Sequence, residues 1–418
     1  MSHTQEEIID IILASKKLVF LTGAGVSTLS GIPDYRSLNG YYANKINPEY
    51  LLSLGCFHKE PDKFYDFIKH LYHPQAQPNI IHKAMHDLEI RSDVTIITQN
   101  IDRLHHLAHS SNIISFHGNL YDIYCTKCQE KIDLEDYLKS DKHSIDNGLI
   151  RPDVVLYEEG LKTEDINASI QAIQEADTIV IVGTSFKVYP FAALIDYAPY
   201  QTKILLINSE DVDNPRIKYK FIGQAGEVFV KIDEIIKKEI KDKIVIRESH
   251  KYDIHQIYPL VEEAFKPMAY ADGDEQNLVL RLLASPSYIP QLSLVATFND
   301  TIIGYILFTE IMVGQNKVLS LAPLCVASKY QGLGVGSALI QEGHRIAKEL
   351  GYKASIVFGE PEYYSQFGYQ QADQYGIVSN LEVDSKYIMV YFFDEVYKES
   401  IKGNIIYPKQ FNLGESHV

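Results

Sequence analysis

The stretch KLVFLTGAGVSTLSGIPDYRS, Lys17 to Ser37, decides the fold. Its apolar run is the length of a strand buried on both faces, and Gly23 and Gly25 follow at once, where small residues let backbone N–H groups approach a pyrophosphate. The spacing is Gly-Ala-Gly before a Ser/Gly-rich loop, not Gly-x-Gly-x-x-Gly opening directly into a helix. Alone it reads equally well as a tight strand-to-helix turn. Its company changes that reading: TQNID (98–102), FHGN (116–119), GTS (183–185) and INSE (207–210) fall nearly all at the C-terminal ends of expected strands. That edge is where open α/β sheets bind ligands.

The strands expected outward from this stretch are KLVFLTG, DVTIITQN, NIISFHG, ADTIVIVG and TKILLIN, each short and bounded by polar residues or glycine. Helical spacing separates them, as in Ile80, Ile81, Ala84, Met85 and Leu88. Such alternation predicts an α/β fold, a doubly wound, mostly parallel sheet with helices on both faces. The lysine-rich segment Lys237 to Lys243 reads as a helix end and joint, giving a first domain over 1–241 and a second over 242–418. The second half is α+β in pattern. A helical stretch from Ile254 to Phe265 precedes the strand pair LSLVATFND and TIIGYILFTEI, joined at an Asn299-Asp300 turn signal. A further strand then feeds a glycine-rich loop and an amphipathic helix.

With 418 residues, 46% hydrophobic and 22% charged, the chain has the composition of a soluble globular protein of two or three domains. Acidic residues outnumber basic ones 55 to 39, a formal charge of −16, which argues against a general affinity for nucleic acid or an anionic membrane. Four cysteines make no disulfide framework, and no apolar run reaches membrane-spanning length. The expected location is cytoplasmic.

GAGVSTLSGIPDYR, TQNIDRLH, FHGN, RPDVV and VGTSFKVYP, in that order, closely resemble the sirtuins, NAD-dependent protein deacylases, and their bacterial members most of all. The resemblance implies a Rossmann-like domain for NAD with a small zinc-type module at about 120–155, and an acetylated protein as substrate. It places Gly23, Ala24 and Gly25 at the phosphates, and Asp34, Tyr35 and Arg36 on a loop over the nicotinamide ribose. Gln99, Asn100 and Asp102 go to the ribose and carboxamide, and Gly183, Thr184, Ser185, Asn208 and Ser209 to the phosphate and adenosine ribose. His117 becomes the general base, a role suited to the one side chain that titrates near neutrality. Phe116, Val154 and Val155 line the acyl-lysine channel. Two departures stand out. No Arg matches the Tyr-x-x-Arg of members that prefer acidic acyl groups, which favours acetyl or apolar groups, and the usual Phe/Tyr-Gly-Glu reads Tyr157-Glu158-Glu159. NAD hydrolysis and ADP-ribosyl transfer remain open alternatives, because a poised glycosidic centre can pass the sugar to water or to a protein side chain.

Cys125 and Cys128 have metal-ligand spacing, but the family's second cysteine pair falls on His143 and Asp146. Zinc accepts imidazole and carboxylate as well as thiolate, so Cys₂-His-Asp is one reading, with any zinc structural. Two packed cysteines beside an ordinary polar loop is the other.

SLAPLCVASKYQGLGVGSALIQEG and VFGEPEYYSQFGYQ resemble the GNAT acetyltransferases over about 244–395. The resemblance implies that Gln331, Gly332, Gly334, Gly336 and Ser337 bind the pyrophosphate of acetyl-CoA, and that Leu324 to Val326 pair with its pantetheine arm. The acceptor would be a protein or small-molecule amine. Tyr364 is the candidate acid for the departing thiolate, with Tyr363 as its alternative, and Glu310 a candidate base. A CoA-sensing regulator with an inactive second domain is the rival reading there.

Overall fold

The computed structural model describes residues 3–33, 48–268, 271–381 and 383–412. The chain divides into two compact units, Met1–Ile235 and Ile236–Val418. The helix Ala225–Lys243 runs through the segment expected as a joint. Ile232, Ile236 and Ile240, spaced by four, keep one face of it buried while its lysines stay in water.

Among the described residues the first unit has eight strands: β1 (Lys17–Thr22), β2 (Asp93–Thr98), β3 (Ile113–Ser115), β4 (Gly118–Cys125), β5 (Ile150–Val154), β6 (Thr178–Val182), β7 (Lys203–Asn208) and β8 (Tyr219–Ile222). Six form one parallel sheet in the order β3-β2-β1-β6-β7-β8. In β1 and β2 every residue after the first is buried, and in β6 all are, which is why they read as continuous apolar runs. The half-exposed edge strand β8 has no such run. The chain winds outward one way from β1 and the other way from β6, so the crevice between their C-terminal ends is the topological switch point.

The remaining pair, β4–β5, is a separate antiparallel ribbon. It packs with the helices Leu54–Lys59, Pro61–Lys69 and Leu134–Lys139 around Phe57, Phe64, Ile68, Leu120, Ile123 and Tyr137. This small module has its own core.

The second unit holds a nine-stranded mixed sheet. Its strands are β9 (Val245–Glu248), β10 (Tyr288–Phe298), β11 (Thr301–Val313), β12 (Asn316–Val326), β13 (Ala354–Phe358), β14 (Gln370–Gln371), β15 (Ile377–Val378), β16 (Ile388–Phe392) and β17 (Gly403–Ile406). The main path is β14-β16-β13-β12-β11-β10-β9, with β12 and β13 its one parallel neighbour pair. Asn299 and Asp300, at φ 48° and 63°, make the two-residue turn of the β10–β11 hairpin, where both central residues must be left-handed. No helix among the described residues is long and apolar enough to cross a membrane.

Candidate functional site

At the switch point three glycines bring two turns into backbone contact. A Cβ on Gly25 would lie 2.7 Å from the Gly183 Cα, one on Gly183 2.6 Å from the Val26 nitrogen, and one on Gly23 2.6 Å from the Thr184 Cβ. The Gly25 N–H donates to the Gly183 carbonyl at 2.8 Å and the Gly23 N–H to that of Val182 at 3.2 Å. These two amides are therefore engaged within the protein. The glycines are needed because the turn after β1 lies directly on the turn after β6, a closer reason than phosphate approach alone.

Beneath that turn the TQNID segment supplies polar side chains. Asn100 Nδ2 donates to the Gly23 carbonyl at 3.0 Å and to Ser27 Oγ at 3.1 Å, and the Ser27 hydroxyl donates to Asp102 Oδ2 at 2.6 Å. Asp102 Oδ1 accepts from the Leu104 N–H. Burial raises the Asp102 carboxyl above its ordinary value, and the Ser27 and Leu104 donors work against that rise. Ser27, itself buried, thus joins Asn100 to Asp102. It was not among the expected site residues; its signal is its place two residues after Gly25 in GAGVS.

Gln99 Oε1 accepts from the Thr184 hydroxyl at 3.1 Å, while its Nε2 is buried without a partner among the described residues. A buried donor in that state calls for an acceptor from outside the protein. Thr184 is held in turn by Asn208, whose Nδ2 donates to the Thr184 carbonyl at 3.2 Å. Ser185 and Ser209 follow these two residues in the loops after β6 and β7. Glycines without bulk, an unpaired amide and polar residues from four strand ends form a donor set suited to a dinucleotide.

A small depression lined by Thr98, Asn100, Asp102, Ser115 and Asn119 extends the site toward FHGN. His117 lies in the chain between Ser115 and Asn119. Its carbonyl accepts from the Val155 N–H at 2.9 Å, and its ring lies by Phe116 and Phe191. Gly118 has φ 80°, and a Cβ there would run into the Asp153 carbonyl, so only glycine lets the chain turn from β3 into the ribbon at this point. Phe116 and Val154 are both buried, in different core clusters, and Val155 is half-buried. Asp34, Tyr35 and Arg36 lie outside the described residues.

At Tyr157-Glu158-Glu159 the structure explains the family's glycine: Glu158 has φ 71°. Its carboxylate accepts from the Gly55 N–H at 3.0 Å. Glu159 takes a two-pronged bond from Arg151, at 3.2 and 3.0 Å.

In the small module, ligand atoms of Cys125, Cys128, His143 and Asp146 all lie within 4.8 Å of one another. Cys125 Sγ is 3.4 Å from Asp146 Oδ1, Cys128 Sγ is 3.4 Å from His143 Nδ1, and that nitrogen is 3.3 Å from Asp146 Oδ1. Donors around a tetrahedral zinc stand about 3.3–3.8 Å apart. A Cβ on Gly148 would come within 2.5 Å of Cys125 Sγ, so glycine keeps the cluster open on that side. The donor chemistry fits zinc, and these three donor pairs stand at its spacing.

In the second unit β12 pairs with β13 only from Leu319 to Leu321, yet runs on to Val326 against β11. Leu324 to Val326 therefore border a splay between parallel neighbours. Gly332 and Gly334 follow at φ 74° and 86° with no atom near a would-be Cβ, and Gly334 caps the helix Val335–Glu349, in whose first turn Ser337 lies. Gln331 turns back, donating to the Val326 carbonyl at 3.1 Å. Tyr364 lies with its ring against Gly359 and 5.6 Å from Tyr369, and the Tyr363 hydroxyl points instead to Gly336. Glu310 is engaged on both oxygens, by Lys317 at 2.8 Å and Tyr352 at 3.2 Å.

Residues 23–190 match the Sir2 family and residues 254–369 the acetyltransferase (GNAT) family. A protein of Listeria monocytogenes serotype 4b (strain F2365), an NAD-dependent protein deacetylase, is 51% identical over 219 residues, 52% of this chain and 96% of the relative. One from Enterococcus faecalis (strain ATCC 700802 / V583) with the same description is 49% identical over 229 residues, 55% of this chain and 97% of the relative. Among solved structures, a Sir2 homologue in complex with NAD superposes with a TM-score of 0.51 at 34% identity, over 57% of this chain and 95% of its own. A second Sir2 enzyme gives 0.51 at 32%, over 56% and 98%.

Proposed function

The chain belongs to the Sir2 family through its first unit and carries a GNAT-family domain in its second, and on that premise we propose a bifunctional enzyme. The first unit removes acetyl groups from protein lysines at the expense of NAD, releasing nicotinamide and O-acetyl-ADP-ribose. The second transfers acetyl groups from acetyl-CoA to an amine. Linking the two raises the effective concentration of each near a common target.

The observation that carries the first activity is the bonded set Asn100–Ser27–Asp102 under the glycine turn at the switch point. NAD supplies a glycosidic bond to a cationic leaving group, and its cleavage drives transfer of the acyl group to the sugar. Asn100 and Asp102 hold the ribose and carboxamide end, each fixed from behind by Ser27. Gln99, Thr184 and Asn208 serve the rest of the dinucleotide with Ser185, Ser209, Gly183 and the Gly23–Gly25 turn. His117, at the ribbon junction, takes the proton from the ribose hydroxyl. Phe116, Val154 and Val155 border the acyl-lysine. Cys125, Cys128, His143 and Asp146 would hold a structural zinc, which would tie the end of β4 to the connection that leads into β5; no step uses it.

The second activity rests on the splayed edge of β12 followed by the left-handed Gly332 and Gly334 at a helix start. Gln331, Gly332, Gly334, Gly336 and Ser337 take the pyrophosphate and Leu324 to Val326 the pantetheine arm. Tyr364 protonates the thiolate.

Mass spectrometry of the purified chain with NAD and an acetyl-lysine peptide tests the first activity. O-acetyl-ADP-ribose forms only with the peptide present, and His117→Ala abolishes it. Nicotinamide release at an undiminished rate without peptide would overturn deacetylation in favour of glycohydrolase or ADP-ribosyl chemistry.

A further inference from the structure

Two adjacent tyrosines precede the Phe367-Gly368 turn, and the structure sends them to different places. The Tyr364 ring fills the space over Gly359, at the end of β13. The Tyr363 hydroxyl lies 2.6 Å from where a Cβ on Gly336 would be, over the first turn of the helix Val335–Glu349. Val326 Cγ2, at the last residue of β12, is 3.6 Å from the same point. The hydroxyl therefore sits where the end of β12 meets the helix start, on the line from the glycine loop to the splayed strand edge.

Two further observations bear on what it does there. Edge-on contacts with Tyr364 at 5.1 Å and Phe367 at 5.3 Å fix the ring, so the direction of the hydroxyl is set. Among the described residues that hydroxyl has no hydrogen-bond partner, although the residue is only partly exposed. A positioned phenol with no protein partner can donate to a bound group in place of water.

We infer that Tyr363 belongs to the acetyl-CoA site, donating a hydrogen bond to the phosphopantetheine arm where it leaves the glycine loop for β12. The inference rests on the GNAT reading of this unit and separates the two tyrosines: Tyr363 for binding, Tyr364 for the thiolate. Gly336 is then glycine for a reason internal to this chain, since any side chain there displaces the Tyr363 hydroxyl.

Calorimetric titration of the full chain with CoA tests this. Tyr363→Phe removes one oxygen and weakens CoA binding about tenfold, the usual worth of one hydrogen bond. Competition by adenosine 3′,5′-bisphosphate, which lacks the arm, is unchanged in Tyr363→Phe. Gly336→Ala lowers the melting temperature of the unliganded protein, and adding Tyr363→Phe restores part of the loss, because the nearest remaining ring atom is 3.9 Å away. Wild-type affinity in Tyr363→Phe overturns the inference alone, as does an equal loss for the bisphosphate or a fall in its unliganded melting temperature that accounts for the weaker binding. Absence of CoA binding in the wild type overturns the acetyl-CoA reading itself.

Discussion

The Ser27 hydroxyl donates to the Asp102 carboxylate at 2.6 Å while accepting from the Asn100 amide at 3.1 Å. One small side chain on the glycine turn thereby fixes both polar residues of the segment after β2. It also stabilises the ionised form of a carboxyl that burial pushes the other way.

Ser27→Ala removes that donor, so the Asp102 pKa rises further. If the ionised carboxylate is the working form, the acid limb of the NAD-dependent rate moves to higher pH by about one to two units, as for loss of one hydrogen bond to a charged group. A pH–rate profile of the variant superposing on that of the wild type would remove Ser27 from the site.

The glycine turn predicts two unequal substitutions. Gly183→Ala combines φ 61° with a Cβ 2.6 Å from a backbone nitrogen, and should cost about 2–4 kcal/mol and impair NAD binding. Gly31→Ala has φ 81° and nothing within 4 Å, so only the backbone cost of about 1 kcal/mol applies. Thermal melting of the pair should separate them by several degrees. Equal shifts would mean that the contact between the two turns does not matter.

The parts of this architecture readable from sequence are those where one physical requirement dominates a short stretch. β1, β2, β6 and β7 are buried throughout their length beyond the first position or two, and continuous apolar runs reveal that. Strand β8 is nowhere fully buried, and the ribbon β4–β5 has no clean alternation of buried and exposed positions, so only tertiary partners define them. The lysines at 237–243 read as a helix end and joint because charge is conspicuous, and the helix does end at Lys243, carried that far by buried isoleucines four apart. His143 and Asp146 are legible only through the resemblance, as the positions of the family's second cysteine pair, and they lie beside Cys125 and Cys128. Ser27 stayed hidden because a serine beside glycines looks like any loop residue, and the division between Tyr363 and Tyr364 depends on facing glycines far away in sequence.

The Cys₂-His-Asp cluster should carry about one equivalent of zinc per chain by elemental analysis of protein purified without chelator. Cys128→Ser or Asp146→Ala should lose most of it and lower the melting temperature of the first unit. Glu130, whose Oε2 lies 3.7 Å from His143 Nε2, faces the nitrogen away from the cluster. Glu130→Gln should weaken zinc retention about tenfold, as loss of an outer partner of a ligating histidine does. Substoichiometric zinc in the wild type after growth in zinc-replete medium would leave the four residues as packing alone.

Acid should destabilise the two units to different extents. Burial pushes His82 down to about 3 and His105 well below its ordinary value in the first unit, and His344 down to about 4 in the second. The His82 and His105 rings lie 4.7 Å apart, and the His344 ring stacks on Tyr391 at 4.3 Å, so neither site has room to hydrate a charge. All three are neutral in the folded chain, while the unfolded chain takes up their protons near pH 6.5. The unfolded state then binds more protons, so stability is full above pH 6.5 and falls as the pH drops toward each folded-state pKa. Each histidine contributes up to about 1.4 kcal/mol per pH unit. The first unit, where burial also lowers His106, should lose stability more steeply than the second between pH 6.5 and 5, before most carboxylates titrate. Differential scanning calorimetry can follow both transitions, the first identified by its upward shift with NAD, and His82→Gln should flatten its dependence. A first transition that stays level from pH 7 to 5 would mean that these rings are hydrated and charged in the folded protein.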